Sequence, residues 1–274
     1  MGDPVGADDE KQELIWHFRE LCDLHAGWPV FYEVRRTNLH FYLDLGLTLL
    51  KIGEEARVAL ESFSLDGGKH KWMRYTLRRV EAEGCSFEII ESGNVIDELR
   101  SISNSWLAEK RTREKGFSLG FFSEQYIRRC AVAVVRRGDQ IVAFANLWNG
   151  AGDELSVDLM RHLPDAPAGV MDYMFLSLIL WGQKNGYRWF NLGMAPLSGL
   201  ENRSLGTLWN RVGSLAYRFG ENFYNFQGLR QYKEKFDPEW EPMYLASPGG
   251  LALPRILTNL TALISGGLSG VISK

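Results

Sequence analysis

Asp158 and Arg161 are the residues whose types and spacing first indicate a site. They lie three positions apart, where a predicted strand of about Leu155 to Leu159 runs into a loop rich in Pro, Ala and Gly. A carboxylate beside a guanidinium can supply an acid/base or orienting group next to an anion clamp. The same two residues can also form a structural ion pair that closes the loop, and their spacing alone leaves both interpretations open.

The segment around this pair has the predicted order strand, loop, helix, strand. The apolar run Val170 to Lys184 predicts a buried helix that ends at Asn185-Gly186. Tyr187 to Leu192 predicts the next strand, which we expect to break at Gly193 and Pro196. Folds of this α/β kind usually place their ligands at the ends of strands. The segment is therefore the first place to expect a site.

One predicted helix, Lys69 to Glu83, has a basic face. Lys71, Arg74 and Arg78 recur at i, i+3 and i+7, with Lys69 close by. Such a face binds the phosphates of a polyanion or is simply a solvated surface. Since the whole chain carries a net charge of −3 at pH 7, a nucleic acid would need such a local concentration of cations.

A second group of cations lies beside aromatic residues near the C-terminus. It comprises Arg230, Lys233 and Lys235, shortly after Phe223, Tyr224 and Phe226. Cations next to aromatic rings suit a phosphate-bearing ligand that also has an apolar or stacking part. The alternative is a surface segment that its aromatic residues anchor.

The composition is that of a globular protein, with 274 residues, 45% apolar residues and 24% charged residues. The three cysteines are far apart and share no ligand spacing with the histidines, which argues against a disulfide framework or a zinc site. No Ser/His/Asp arrangement, glycine-rich phosphate loop or apolar run of 18 residues occurs. We therefore expect no metal and no cofactor.

The order of elements predicts two similar α/β domains. We expect the remainder of a first fold at 1–68, a basic linking helix at 69–84, a second fold with the active site at 85–248, and a helical tail at 249–274. Within the first fold, Leu47 to Ile52 and Ala56 to Leu60 are predicted as two strands. The tail is apolar but broken by glycines, which favours a surface-lying or core-packing helix over a membrane span.

Several long motifs closely resemble one family, the bacterial aminoacyl-phosphatidylglycerol synthases, or multiple peptide resistance factors. They are SVDLMR, GVMDYMF, the GY-WFNLGMAPLSGL run and NFQGLRQYKEKFDPEWEPMYLA, together with GDPVG, PVFYEV, DLGLTLLKIGEEARVAL and EKGFSLG nearer the N-terminus. The resemblance is to the soluble catalytic domain of these proteins and covers nearly the whole chain.

The resemblance implies two tandem acetyltransferase-like (GNAT) folds joined by the basic helix, the first truncated at its N-terminus. It implies transfer of a lysyl or alanyl group from aminoacyl-tRNA to phosphatidylglycerol at the cytoplasmic face of the bacterial cell membrane. The product lowers the negative surface charge and so confers resistance to cationic antimicrobial peptides. A membrane-spanning flippase domain precedes the catalytic domain in full-length members. No coenzyme A is needed, and the acetyltransferase loop Q/R-x-x-G-x-G/A fails at its last position in both QKNGYR and RSLGTL.

The expected roles of individual residues follow from these substrates. We expect Asp158 to orient the α-amino group or to assist deprotonation of the lipid hydroxyl, and Arg161 and Lys233 to hold phosphate or stabilise the oxyanion. Glu221 is a candidate for the aminoacyl pocket. The other binding candidates are cations, with Lys69, Lys71, Arg74 and Arg78 for tRNA, and Arg230 and Lys235 for the lipid.

Three other functions compete with this one. A Fem-type transferase uses the same tRNA donors but acts on a peptidoglycan precursor. A coenzyme A-dependent acetyltransferase is disfavoured by the failed loop. A non-catalytic module that binds tRNA or lipid is the alternative from outside the enzymes.

Overall fold

The computed structural model describes residues 1–150, 153–200 and 226–265. The chain divides into two compact units, of which unit 1 comprises Met1–Ala56 with Gly193–Lys274, and unit 2 comprises Arg57–Leu192. The candidate Glu221 and the aromatic residues Phe223 and Tyr224 lie outside the described residues.

The described helices and strands alternate along the chain. The α-helices are α1 (Lys11–Leu24), α2 (Leu39–Asp44), α3 (Lys71–Ala82), α4 (Ile96–Lys110), α5 (Glu124–Ile127), α6 (Val170–Lys184), α7 (Phe226–Glu234) and α8 (Leu253–Ile264). The strands are β1 (Phe31–Arg35), β2 (Thr48–Ala59), β3 (Cys85–Glu91), β4 (Ala131–Arg137), β5 (Gln140–Asn149), β6 (Glu154–His162), β7 (Trp189–Pro196) and β8 (Glu239–Ser247). Single 3₁₀ turns lie at Asp8–Glu10, Arg36–Asn38, Ser92–Asn94 and Gly250–Ala252.

Unit 2 is built on a mixed sheet. Strands β3, β4, β5 and β6 pair antiparallel in that order, and β7 pairs parallel with β6. On one face, α4 packs against β4, β5 and β6 through buried residues that include Leu99, Phe144 and Leu159. On the other, α6 contacts β7, and the rings of Phe175 and Phe190 meet edge to face at 6.1 Å. Asp158, Tyr126 and Asn146, which are discussed below, lie on the α4 face.

Strand β6 contains a bulge that determines on which face of the sheet Asp158 lies. Ala145 pairs with Met160 and Leu147 with Val157, so two residues of β6, Asp158 and Leu159, oppose the single residue Asn146. Residues three apart in a regular strand point to opposite faces of the sheet. Because of the extra residue, Asp158 lies on the same face of the sheet as Arg161, three positions later.

In unit 1, β8 lies between β1 and β2 and pairs antiparallel with β1. Helices α1 and α2 cover one core, in which Ile15, Val34 and Tyr42 are fully buried. Helix α8 packs on Leu245 of β8 through its own apolar residues Leu253, Ile256 and Leu260. The core-packing alternative is therefore confirmed for residues 253–264.

Two predicted strand boundaries were wrong, and two glycines explain why. Strand β2 is continuous across Gly53, where a β-carbon would lie 2.5 Å from the carbonyl oxygen of Ala195. This glycine permits close backbone contact and does not end the strand. Strand β7 likewise continues through Gly193, which has φ of +78°, as far as Pro196.

The α/β fold class is confirmed, and its two α/β units agree with the expected tandem arrangement. Unit 1 is discontinuous in sequence because β8 pairs with β1, whereas unit 2 is one continuous segment. The continuous boundaries at 1–68, 69–84, 85–248 and 249–274 stay a prediction. Among the residues that the structure describes, no helix has both the length and the apolar composition needed to cross a bilayer.

Candidate active site

Asp158 is held by hydrogen bonds from the α4 face of unit 2. The Tyr126 hydroxyl donates to Asp158 Oδ2 at 2.6 Å. The phenol oxygen in turn accepts from Asn146 Nδ2 at 2.9 Å and from Trp148 Nε1 at 2.6 Å. Asn146 is fully buried, and its Oδ1 accepts the N–H of Leu159 at 2.7 Å, inside the bulge. One amide side chain thus ties the bulge to the tyrosine.

The pKa of Asp158 is raised, because burial outweighs the effects of the nearby donors. Burial raises the pKa of this carboxyl, whereas the Tyr126 hydroxyl, the backbone N–H of Gly120 and the charge of Arg161 act to lower it. Burial and the neighbouring carboxylate also raise the pKa of Tyr126. The phenol therefore stays protonated and acts as a donor, while the carboxylate acts as an acceptor.

Arg161 forms the predicted kind of ion pair, but with a different acid. Its Nη2 lies 3.1 Å from Glu114 Oε2, and its side chain is 11% exposed. The guanidinium also stacks over the ring of Trp106, 4.1 Å from its centroid. Glu114 Oε1 accepts the N–H of Phe122 at 3.1 Å, so this pair fixes the loop between α4 and α5. Asp158 and Arg161 therefore share a face, and each has its own partner.

Lys233, on α7 in unit 1, is a buried residue, which excludes the interpretation that it is a surface lysine. Its side chain is 6% exposed and donates to the carbonyls of Gly193 at 2.9 Å and Met194 at 2.8 Å. Burial lowers the pKa of Lys233 to about 7, although the charges of Glu55 and Glu33 act to raise it. A lysine with such a pKa can gain or lose a proton near neutral pH.

Glu33, which acts on Lys233 through its charge, lies at a bulge in β1. The register of β1 on β8 shifts between Tyr32 and Val34, and Glu33 has φ of +64°, which a residue other than glycine rarely adopts. Burial, followed by the charge of Glu55, raises the pKa of Glu33 to about 7. Glu55 is itself paired with Arg35 Nη2 at 3.2 Å. Unit 1 therefore contains the buried Lys233 and two half-buried carboxylates, Glu33 and Glu55, whose charges act on its pKa.

The two lipid-binding candidates also lie in unit 1. Arg230 contacts the Glu54 carboxylate and the Ser198 hydroxyl, and its guanidinium stacks 4.1 Å over the ring of Trp240. Lys235 lies with its Nζ 4.6 Å above the ring of Tyr232. Both cations rest on aromatic rings, but the rings are those of Trp240 and Tyr232 and not of the predicted cluster Phe223, Tyr224 and Phe226.

The basic face of α3 is confirmed only in part. Lys69, Lys71 and Arg78 are exposed, whereas Arg74 folds back on the preceding loop. Its Nη1 donates to the carbonyls of Leu65 and Gly67. Lys71 and Arg78 of the predicted triad therefore face solvent, and Arg74 binds the loop that precedes the helix.

Tyr126, Glu114 and Glu33 were missed by the sequence analysis. Tyr126 is 32 residues from Asp158, and nothing in its spacing indicates that contact. Glu114 and Gly120 both lie in EKGFSLG, so that motif could have indicated them. No described group of three His, Cys, Asp or Glu residues could hold a metal ion.

Comparison with known proteins gives consistent matches. The family model described as phosphatidylglycerol lysyltransferase, C-terminal, matches residues 1–247. The phosphatidylglycerol lysyltransferase of Bacillus subtilis (strain 168) is 36% identical over 270 residues, which are 96% of this chain and 31% of that protein. The chain thus spans about a third of the length of the curated relative it matches.

Two solved structures share this fold. One is the C-terminal domain of a protein provisionally named a lysylphosphatidylglycerol synthetase, from Agrobacterium fabrum, with TM-score 0.86, 42% identity, and coverage of 97% of this chain and 82% of that one. The other is the L-PGS of Bacillus licheniformis, with TM-score 0.87, 38% identity and the same two coverages, 97% and 82%.

Proposed function

The chain belongs to the phosphatidylglycerol lysyltransferase C-terminal family, and from this premise we propose that it transfers an aminoacyl group from aminoacyl-tRNA to phosphatidylglycerol. The observation that carries the proposal is the match to a phosphatidylglycerol lysyltransferase over 96% of the chain. The donor-rich setting of Asp158 supports it, because that setting suits proton transfer or the binding of an amine.

The reaction exchanges one ester for another. The lipid hydroxyl oxygen attacks the ester carbonyl carbon, and the bond from that carbon to the tRNA ribose oxygen breaks. The hydroxyl proton passes to the ribose oxygen, so no oxidant or further reactant is needed. Because the donor ester is already activated, the protein must mainly supply positioning and proton transfer.

The proposal gives each candidate a role. Asp158 orients the α-amino group or assists deprotonation of the hydroxyl, while Arg161 and Lys233 hold phosphate or stabilise the oxyanion. Glu221 contributes to the aminoacyl pocket. The cations divide between two ligands, with Lys69, Lys71, Arg74 and Arg78 binding tRNA, and Arg230 and Lys235 binding the lipid.

The partners follow from the substrates. Aminoacyl-tRNA approaches from the cytoplasm, and phosphatidylglycerol lies in the inner leaflet, so the protein works at the cytoplasmic face of the cell membrane. The curated relative is about three times as long as its matched part, since that part is 31% of it. That length accommodates the membrane-spanning flippase domain that the resemblance implies as a partner. The amino acid is lysine or alanine.

The test is transfer of label from charged tRNA to lipid. The chain is mixed with phosphatidylglycerol vesicles and tRNA charged with radiolabelled lysine or alanine, and the lipid is extracted. We expect label in the lipid with one of the two amino acids. We expect none with phosphatidylcholine vesicles, because the headgroup of that lipid lacks the glycerol hydroxyl that accepts the aminoacyl group. In a parallel reaction to which a peptidoglycan precursor is added, label on that precursor and none on the lipid would indicate a Fem-type enzyme. Binding of tRNA without any transfer would indicate a non-catalytic module.

A further inference from the structure

Tyr126 has no role in the function proposed above, yet its hydroxyl group takes part in three hydrogen bonds. Its oxygen lies 2.6 Å from Asp158 Oδ2, 2.9 Å from Asn146 Nδ2 and 2.6 Å from Trp148 Nε1. We propose that Tyr126 is a positioning residue for aminoacyl transfer, which acts by committing its proton to Asp158. This inference rests on the proposed function.

The direction of each hydrogen bond follows from the chemistry of its partner. An indole N–H can only donate, so Trp148 must donate to the phenol oxygen. The Oδ1 of Asn146 is occupied by the N–H of Leu159 at 2.7 Å, which leaves its Nδ2, a donor, facing the phenol. Two donors thus occupy the phenol oxygen, and its own proton can go only to the carboxylate of Asp158.

The consequence for Asp158 is a carboxylate fixed in orientation and in charge. A hydrogen bond donated to the ionised form lowers the pKa of a carboxyl group and opposes the effect of burial. The Tyr126 ring packs on the same core as Phe144 and Leu159, so the donor is itself held in place. A carboxylate held in this way can receive an α-ammonium group or a hydroxyl proton without reorganising.

A purely structural role for Tyr126 makes a different prediction from a positioning role. If the hydroxyl only stabilises the fold, its loss lowers the melting temperature and leaves the titration of Asp158 unchanged. If it acts through Asp158, its loss matters only while the carboxylate is present. Kinetics, pH dependence and a double-mutant cycle separate the two.

The experiment compares Tyr126→Phe, Asp158→Asn and the double variant in the transfer assay. We expect Tyr126→Phe to lower kcat/KM roughly 10- to 100-fold, as for loss of a hydrogen bond to a charged group. The acidic limb of its pH profile should move to higher pH, because the pKa of Asp158 rises. The double variant should be little slower than Asp158→Asn alone. Tyr187→Phe, which removes the same atom elsewhere in unit 2, should change none of these.

A second measurement does not depend on turnover. Carbon-13 NMR of labelled aspartate carboxyls follows the titration of Asp158, whose signal is the one lost in Asp158→Asn. An unshifted pKa of Asp158 in folded Tyr126→Phe, or multiplicative losses in the double variant, would overturn the inference. Absence of transfer by the unaltered chain, with the NMR shift present, would contradict the proposed function and leave the tie between Tyr126 and Asp158 established.

Discussion

Gly120 lies so close to Asp158 that residue 120 has no room for a side chain. A β-carbon there would stand 2.5 Å from Asp158 Oδ2 and 2.7 Å from Oδ1. The backbone N–H of Gly120 also lowers the pKa of the Asp158 carboxyl. Glycine at 120 thus brings a donor within reach of the carboxylate without steric conflict.

Gly120→Ala should displace the Asp158 carboxylate and slow transfer by at least about 10-fold, because small misplacements of reacting groups are costly. The matched control is Gly93→Ala in the same unit, whose β-carbon would meet only Arg128 Nη1 at 3.8 Å. The assay compares kcat/KM and Tm for the two variants. Equal activities would show that the close contact has no catalytic consequence.

Asp158 and Arg161 should act together although each has its own partner. Asp158→Asn and Arg161→Lys should each lower kcat/KM by at least about 100-fold, and the double variant should cost little more. Glu114→Gln keeps an acceptor for Arg161 and should cost less. Should Arg161→Lys and Glu114→Gln instead lower Tm and activity in parallel, Arg161 would be a structural residue that closes its loop.

Lys233→Met should abolish most transfer, with a loss of at least about 100-fold, because a preorganised charge is removed. Methionine matches the buried volume, so the loss reports on the ammonium group and not on a cavity. Exposed Lys184 on α6 gives the matched control, Lys184→Met. Near-normal transfer by folded Lys233→Met would assign this lysine to the packing of unit 1 alone.

The stability of the protein should depend on pH through Glu33. Its pKa is raised to about 7 in the folded state from its ordinary value of 4.5, so the folded state binds the extra proton between these values. Stability should therefore fall as pH rises from about 4.5 to 7. The glutamine side chain of Glu33→Gln cannot ionise. The Tm of this variant should therefore rise relative to the Tm of the unaltered chain as the pH increases over this range. A constant difference in Tm would show that Glu33 titrates normally.

The exposed cations of α3 should control the salt dependence of tRNA binding. Changing Lys71 and Arg78 together to Gln should reduce the log–log slope by roughly 1.4 to 1.8, at about 0.7 to 0.9 per phosphate contact. Arg74→Gln should change the slope less and lower Tm more, since Arg74 binds loop carbonyls. Parallel salt slopes for the double variant and the unaltered chain would place tRNA elsewhere. Arg100→Gln on α4 is the matched control.

The sequence by itself determined the elements and the family. The bounds of β3 and α6 were predicted residue for residue, because apolar periodicity and a stop signal such as Asn185-Gly186 are local properties of a chain. The spacing of the cations in α3 also indicated the exposed pair Lys71 and Arg78, although not the contact of Arg74 with the preceding loop. Long motifs such as SVDLMR indicated the family, which the match over residues 1–247 confirmed.

Only the tertiary structure decided which side chains meet. A bulge in β6 turns Asp158 to the face of Arg161, and spacing alone predicts the opposite for residues three apart. The partners Tyr126 and Glu114 come from distant positions in the chain. Gly53, which lies between two segments that were predicted as separate strands, is a point of close contact between two backbones. Local propensity carries no information on such contacts, because packing between distant segments determines them.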